Sequence, residues 1–184
     1  LSLIAAHHPN RFSIVAAADP IPQRVAAIRE LADDEHSFRE FASADELFDV
    51  GEELDVVIIG TQDAAHFHQC MRAIECGYDV LLEKPIALTF PQVLRLRAAA
   101  AHASRRVVVC HVLRYTAFYT RIRALIGDGA VGSVHSIHAT EGVGPWHFAH
   151  SYVRGHWRSH ADAAPMIVAK SCHDTDILHW LVDS

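Results

Sequence analysis

The run Asp79-Val80-Leu81-Leu82-Glu83-Lys84-Pro85 decides the fold. A short apolar strand delivers a glutamate, a lysine and a proline to its carboxyl end, where open α/β sheets bind their ligands. Charged side chains that close a buried strand need a chemical reason, and the proline fixes the backbone just after them. Outward from this run, strand and helix signals alternate over short gaps, the pattern of a doubly wound parallel sheet. Residues 12–18 read as a strand ending at Asp19-Pro20, 23–31 as a helix, 45–50 as a short helix and 55–60 as a strand. In 65–76, Phe67, Met71 and Ile74 share one face at helical spacing, and Gly77 supplies a stop. Residues 78–82 form the next strand, 91–103 a helix, 106–113 a strand, and 118–126 a helix closed by Gly127-Asp128-Gly129.

Beyond that point the rhythm changes. Residues 134–141 alternate as a longer strand with one wetter face would, and 142–165 are irregular and rich in aromatic and histidine residues. The fold expected is a doubly wound α/β domain over residues 1–115, followed over 116–184 by the start of a different domain. No internal repeat is visible, and the alanines at 98–101 are the one biased tract.

The 184 residues, 51% of them hydrophobic, suffice for one full domain and part of a second. The net charge of −6 and the lack of any basic block argue against a nucleic-acid footprint and a polybasic membrane contact. Apolar runs such as 56–59 and 107–109 are far too short to cross a bilayer. Cys70, Cys76, Cys110 and Cys172 form no Cys-x-x-Cys pair and sit among apolar neighbours, so reduced thiols and the cytoplasm are expected. The chain opens on helical-looking sequence with neither methionine nor a signal-peptide pattern, which suggests a fragment truncated at both ends.

A second cluster, Lys170-Ser171-Cys172-His173-Asp174-Thr175-Asp176, opens an apolar helix carrying Ile177, Leu178, Trp180 and Leu181. A lysine and a histidine from such distant segments can together carry proton and hydride chemistry. Asp19 ends the first strand. There a carboxylate either accepts hydrogen bonds from adenosine ribose hydroxyls or serves a turn or helix cap. As a ribose ligand it favours NAD, because a carboxylate repels a 2′-phosphate; Arg24, one helical turn on, leaves room for NADP. The glycine loop of a dinucleotide site stands roughly 20 residues before such an acid. None of the eighteen residues before Asp19 is glycine, so the first strand and pyrophosphate loop are not expected in this chain. Gly60-Thr61-Gln62-Asp63, with His66 one helical turn on, suits either a cofactor's flank or a plain capped strand–helix junction. His135, His138, His147, His150, His156, His160, His173 and His179 crowd the last fifty or so residues. Their spacings fall in irregular sequence without a cysteine or carboxylate set, so no metal site is expected.

In order along the chain, these segments resemble the glucose–fructose oxidoreductase/inositol dehydrogenase (Gfo/Idh/MocA) family. The segment 78–87, YDVLLEKPIA, is similar to that family's Glu-Lys-Pro segment. Residues 16–24 resemble its second strand with an acidic end, and 60–77 its threonine–histidine segment and following helix. Residues 109–115 resemble the strand ending in an arginine, 125–141 the Gly-x-x-Gly link between domains, and 173–181 the histidine–aspartate helix. The resemblance implies a nicotinamide-binding Rossmann domain followed by an open-sheet α+β domain, with sugars or cyclitols as substrates and a homo-oligomer at full length. It implies that Lys84 contacts nicotinamide ribose and substrate, that Glu83 supports the cofactor side and that His173 transfers the proton. Asp19 matches the ribose carboxylate, and Thr61, His66 and Arg114 match positions near the cofactor. The segment 146–158, with Trp146, His150, Tyr152, Arg154, Trp157 and Arg158, is expected to line the substrate cleft together with Asp176. One position departs. Many family dehydrogenases carry an aspartate four residues before the histidine; here it is Ala169, and Lys170 is the polar residue expected to replace it.

Oxidising a secondary alcohol sends hydride to the nicotinamide and requires removal of the hydroxyl proton. An imidazole suits that task near neutrality, and a lysine orients the hydroxyl and stabilises alkoxide charge. The function expected is therefore an NAD(P)-dependent oxidoreductase acting on a sugar- or cyclitol-like alcohol. Two alternatives share the cofactor site: an NAD-dependent glycosidase or lyase that oxidises its sugar transiently, and a non-catalytic sensor.

Overall fold

In the computed structural model, which describes residues 7–8, 11–32, 34, 36–158 and 163–182, the Asp79–Leu82 run is the middle strand of a three-stranded parallel sheet. The chain falls into two units, Leu1–Leu54 and Asp55–Ser184.

In the first unit, β1 (Ala16–Ala18) pairs in parallel with β2 (Arg39–Phe41), and α1 (Pro22–Arg29) crosses between them. Proline in the first turn of α1 suits a position whose N–H has no helical partner. The strand expected over 12–18 narrows to three residues because these alone find a ladder. Strand β2 escapes a sequence reading, since Arg39 and Glu40 are exposed and Phe41 alone is buried. Helix α2 (Ala44–Val50) has clear local causes. The Ser43 hydroxyl accepts from the Glu46 N–H at 3.2 Å, Leu47 and Phe48 turn inward, and Gly51 stops the helix at φ +71°.

In the second unit, β3 (Val56–Ile59), β4 (Asp79–Leu82) and β5 (Val107–Val109) run parallel in the order β3–β4–β5. Central β4 buries Val80 and Leu82 to 2% and 0% exposure, as expected of a strand covered on both faces. The crossovers are α3 (Asp63–Glu75), which buries Cys70, Ala73 and Ile74, and α4 (Phe90–Ala103), opened by a Thr89–Gln92 capping box. Ile59, Leu82 and Val109 are level in the ladder. Gly60, Glu83 and Cys110 therefore leave the sheet side by side, and Thr61, Lys84 and His111 follow one residue later at the same edge.

The strand expected over 106–113 ends early. The chain turns at His111 and enters a 3₁₀ turn, Val112–Tyr115, before α5 (Ala117–Gly127). The strand expected over 134–141 is not formed: the segment is exposed and pairs with no strand among the described residues. Alternation prepares a segment for a sheet, but the ladder is what satisfies its backbone. The irregular stretch after it holds α6 (Pro145–Phe148), a π turn (Ala149–Val153) and a 3₁₀ turn (His156–Arg158). Gly155 is required there, since a Cβ would stand 2.3 Å from the His150 carbonyl oxygen. Helices α7 (Met166–Ala169) and α8 (Cys172–Val182) close the described chain. All four cysteines are free, and no described helix is long and apolar enough to cross a membrane.

Candidate active site

The site grows from the edge where β3, β4 and β5 end. Half-buried Lys84 donates from Nζ to the main-chain oxygen of Ala169 at 3.1 Å, joining segments 85 residues apart. Exposed Glu83 accepts the Lys84 N–H at 3.1 Å, and the Thr61 hydroxyl donates to Gln69 Oε1 at 2.7 Å. His66 does not reach this surface. At 1% exposure its ring lies between the oxygens of Pro85 (2.7 Å) and Thr61 (3.1 Å), so it ties together the two turns that carry Thr61 and Lys84.

His173 stands in the first turn of α8, half-buried, with Nδ1 buried and unpartnered among the described residues. Burial holds its pKa below the ordinary imidazole value, and the charges of Lys84, His111 and Lys170 push the same way against Asp174. The His111 ring meets it edge-on, with centroids 6.0 Å apart. Burial also lowers the His111 pKa, with Asp176 opposing. Asp176 is bound bidentately by Arg114 at 2.7 and 2.5 Å, and its side chain is 9% exposed. The carboxylate and guanidinium expected at substrate and cofactor thus hold one another. Lys170 lies 3.6 Å from Glu141 Oε1 and still bears on His173. At Ala169, where the resemblance leads one to expect a carboxylate, a backbone carbonyl takes the lysine.

The segment 146–158 divides. Trp146, His150, Arg154 and Arg158 are exposed, while Tyr152 and Trp157 are half-buried. The Tyr152 ring lies against His147 and Phe148, and its hydroxyl pKa is raised by burial, with Asp63 and Cys172 adding to it. The Trp157 indole donates to Asp63 Oδ1 at 3.0 Å, and the Ala164 N–H donates to Oδ2 at 3.1 Å. Asp63, 3% exposed, therefore pins this segment to the first turn of α3. His160 and the side chain of His156 lie outside the described residues. In the first unit, Asp19 accepts the Ile21 N–H at 2.8 Å and pairs with Arg24 at 3.4 Å. Among the described residues, no three His, Cys, Asp or Glu side chains gather as metal ligands.

Two members of this site were not singled out from sequence. His111 becomes visible by counting two residues past each strand end, which sets it level with Thr61 and Lys84. Asp63 reads as a helix cap, and nothing local points to its partner Trp157.

Residues 3–111 match the GFO_IDH_MocA family, described as an oxidoreductase family with an NAD-binding Rossmann fold. The chain belongs to this family. The resemblance read from the Glu-Lys-Pro segment is therefore correct, and so is the NAD-binding Rossmann fold. This family member is 28% identical to the putative oxidoreductase YteT of Bacillus subtilis over 93% of the chain and 40% of that protein. It is 31% identical to an inositol 2-dehydrogenase/D-chiro-inositol 3-dehydrogenase of Halalkalibacterium halodurans over 71% of the chain and 34% of that protein. Its fold matches the WlbA dehydrogenase of Bordetella pertussis, solved with NADH and UDP-GlcNAcA, with a TM-score of 0.77 at 22% identity. That alignment covers 98% of this chain and 51% of WlbA. The apo scyllo-inositol dehydrogenase of Lactobacillus casei aligns with a TM-score of 0.75 at 20% identity, over 98% of this chain and 50% of that one. The chain thus spans between a third and about half of the length of these relatives.

Proposed function

We propose that this chain carries the reacting edge of an NAD-dependent oxidoreductase that moves hydride between nicotinamide and a secondary alcohol of a sugar or cyclitol. Residues 1–115 serve the cofactor, and 116–184 begin the substrate-facing part. The observation that carries the reading is the meeting of Lys84 and His173. Lys84 binds the main chain four residues before His173, and its ammonium acts on the imidazole. Relatives named as inositol dehydrogenases, and a fold relative solved with a nucleotide sugar, support a polyhydroxylated substrate.

The edge fits a nicotinamide riboside chemically. Gly60 leaves open space beside it, and Thr61, Glu83 and Lys84 offer a hydroxyl, a carboxylate and an ammonium to ribose hydroxyls. Bound NAD supplies the hydride acceptor. Lys84 orients the substrate hydroxyl and stabilises negative charge as its proton leaves. His173, kept neutral by its surroundings, accepts that proton. Tyr152, Trp157 and the exposed Trp146, His150, Arg154 and Arg158 face the sugar. Asp19 takes the adenosine ribose hydroxyls and sets the preference for NAD, with Arg24 beside it. The four free thiols support a reducing compartment, the cytoplasm.

The test is NADH formation by the full-length protein with a panel of inositols, hexoses and UDP-sugars, using NAD⁺ and NADP⁺ in parallel. NADH accumulating with a polyol supports the reading. Sugar cleavage without net NADH overturns it in favour of a glycosidase or lyase, and NAD binding without any turnover overturns it in favour of a sensor.

A further inference from the structure

The edge that carries Thr61 and Lys84 carries a third side chain at the same level, His111, to which the proton-transfer chemistry above assigns no task. Its surroundings are specific. On one side its Nε2 lies 3.7 Å from Asp176 Oδ1. On the other its ring stands at 83° to that of His173, with centroids 6.0 Å apart. Asp176 is itself immobilised, because Arg114 grips both of its oxygens, and an Arg–carboxylate fork fixes orientation as well as charge. The order in space is Arg114, Asp176, His111, His173. Arg114 belongs to the 3₁₀ turn that follows His111, while Asp176 lies one helical turn after His173 on α8. One fork therefore locks the two backbone segments that bear the two imidazoles.

The ring nitrogens carry a second observation. Nδ1 of His111 and Nδ1 of His173 are both buried, and neither has a partner among the described residues. Buried polar nitrogens are normally satisfied, so two orphans in adjacent rings are unusual outside a working site. The charged and titratable groups around the pair are Asp176 and Arg114 beside His111, and Lys84, Lys170 and Asp174 beside His173.

We propose that His111 is a positioning residue for proton transfer: wedged between the Arg114-held carboxylate of Asp176 and the ring of His173, it fixes the orientation in which His173 meets the substrate hydroxyl. This rests on the reading of His173 as the proton acceptor. A bulky ring alone can fill the space, whereas only an imidazole there acts on His173 through charge. Phenylalanine at position 111 separates the two roles.

The experiment uses the full-length protein and follows the imidazole C2 proton of His173 by NMR, assigned through its loss in His173→Gln. In His111→Phe the ring is kept, but its electrostatic effect on His173 is gone. The His173 titration should then move to higher pH, because a neighbour that lowers its proton affinity has been removed. Phenylalanine also has no nitrogen to face Asp176, 3.7 Å away in the parent, so the ring loses its anchor. With the polyol that yields NADH in the panel above, turnover should therefore fall by up to about 10²-fold, the cost of a misplacement of about 1 Å. KM should change far less. Asp176→Asn should also move the His173 titration, since it loosens the fork. An unshifted titration with normal turnover in His111→Phe overturns the proposal by itself and leaves His173 as the acceptor. Normal turnover in His173→Gln removes the acceptor role, and the His111 proposal with it.

Discussion

The Lys84 ammonium acts on His173 through charge, and that coupling can be measured directly. The His173 pKa is lowered first by burial and next by the Lys84 ammonium. Lys84→Met should therefore move the His173 titration to higher pH, read by NMR in the full-length protein. Turnover should fall by roughly 10²–10⁴-fold, the usual worth of a positioned acid–base group. A His173 titration that stays in place would separate the two residues. Asp63 offers a second residue-scale test. Asp63→Ala leaves the Trp157 indole and the Ala164 N–H without an acceptor, and an orphaned buried donor costs roughly 1–3 kcal/mol. The expected result is a lower denaturation midpoint and a changed indole environment for Trp157 in fluorescence, with Trp157→Phe removing the optical signal. Identical spectra and midpoints would show that the segment is held by other contacts.

At the scale of elements, β4 is where packing and chemistry meet. Leu82 is fully buried one residue before Glu83, and its N-terminal neighbours pair with strands on both sides. Leu82→Ala should cost about 2–5 kcal/mol, as buried leucine truncations do, measured by urea denaturation. The strand end should loosen as well, so KM for NAD is expected to rise. His66 joins the β3 and β4 turns through two carbonyls. His66→Phe preserves volume but removes both contacts, and should lower turnover without touching a reacting atom. Helix α2 supplies the contrasting case of purely local control. Gly51→Ala places a Cβ at φ +71° and should destabilise the first unit by about 1 kcal/mol, leaving KM unchanged.

For the whole molecule, the two lowered imidazoles set an acid limit. Between the folded values of His111 and His173 and the unfolded value of about 6.5, the unfolded chain binds more protons than the folded one. Stability from this source is therefore complete above about pH 6.5 and is lost as pH falls through the folded values. Denaturant midpoints measured from pH 7.5 downward should decline first in this window. The decline should shrink in the His111→Phe, His173→Gln double variant. A flat profile in the parent protein would contradict the burial of both rings.

Much of this protein was legible in order along the chain because its causes are local. Apolar runs 78–82 and 55–60, the helical face of Phe67, Met71 and Ile74, and the stop at Gly77 act between near neighbours. So do the side chains placed at strand ends: strand counting alone sets Asp19, Thr61, Glu83 and Lys84 on one sheet edge. Thr61, Glu83 and Lys84 do leave the three-stranded sheet together, whereas Asp19 ends a strand of the separate two-stranded sheet, because strand ends do not specify which strands pair. The family, too, was visible in the ordered series of short segments. Tertiary structure decided what depends on partners distant in sequence. Residues 134–141 alternate like a strand but have no ladder among the described residues, while Arg39–Phe41 lacks a strand's pattern and has one. His111 became the neighbour of His173 only through sheet register and the packing of α8. Asp63 met Trp157 across 94 residues, and Arg114 met Asp176 across 62. Local preference sets the conformation a segment can adopt; register and charge pairing act through space, and the folded chain alone brings those groups within reach.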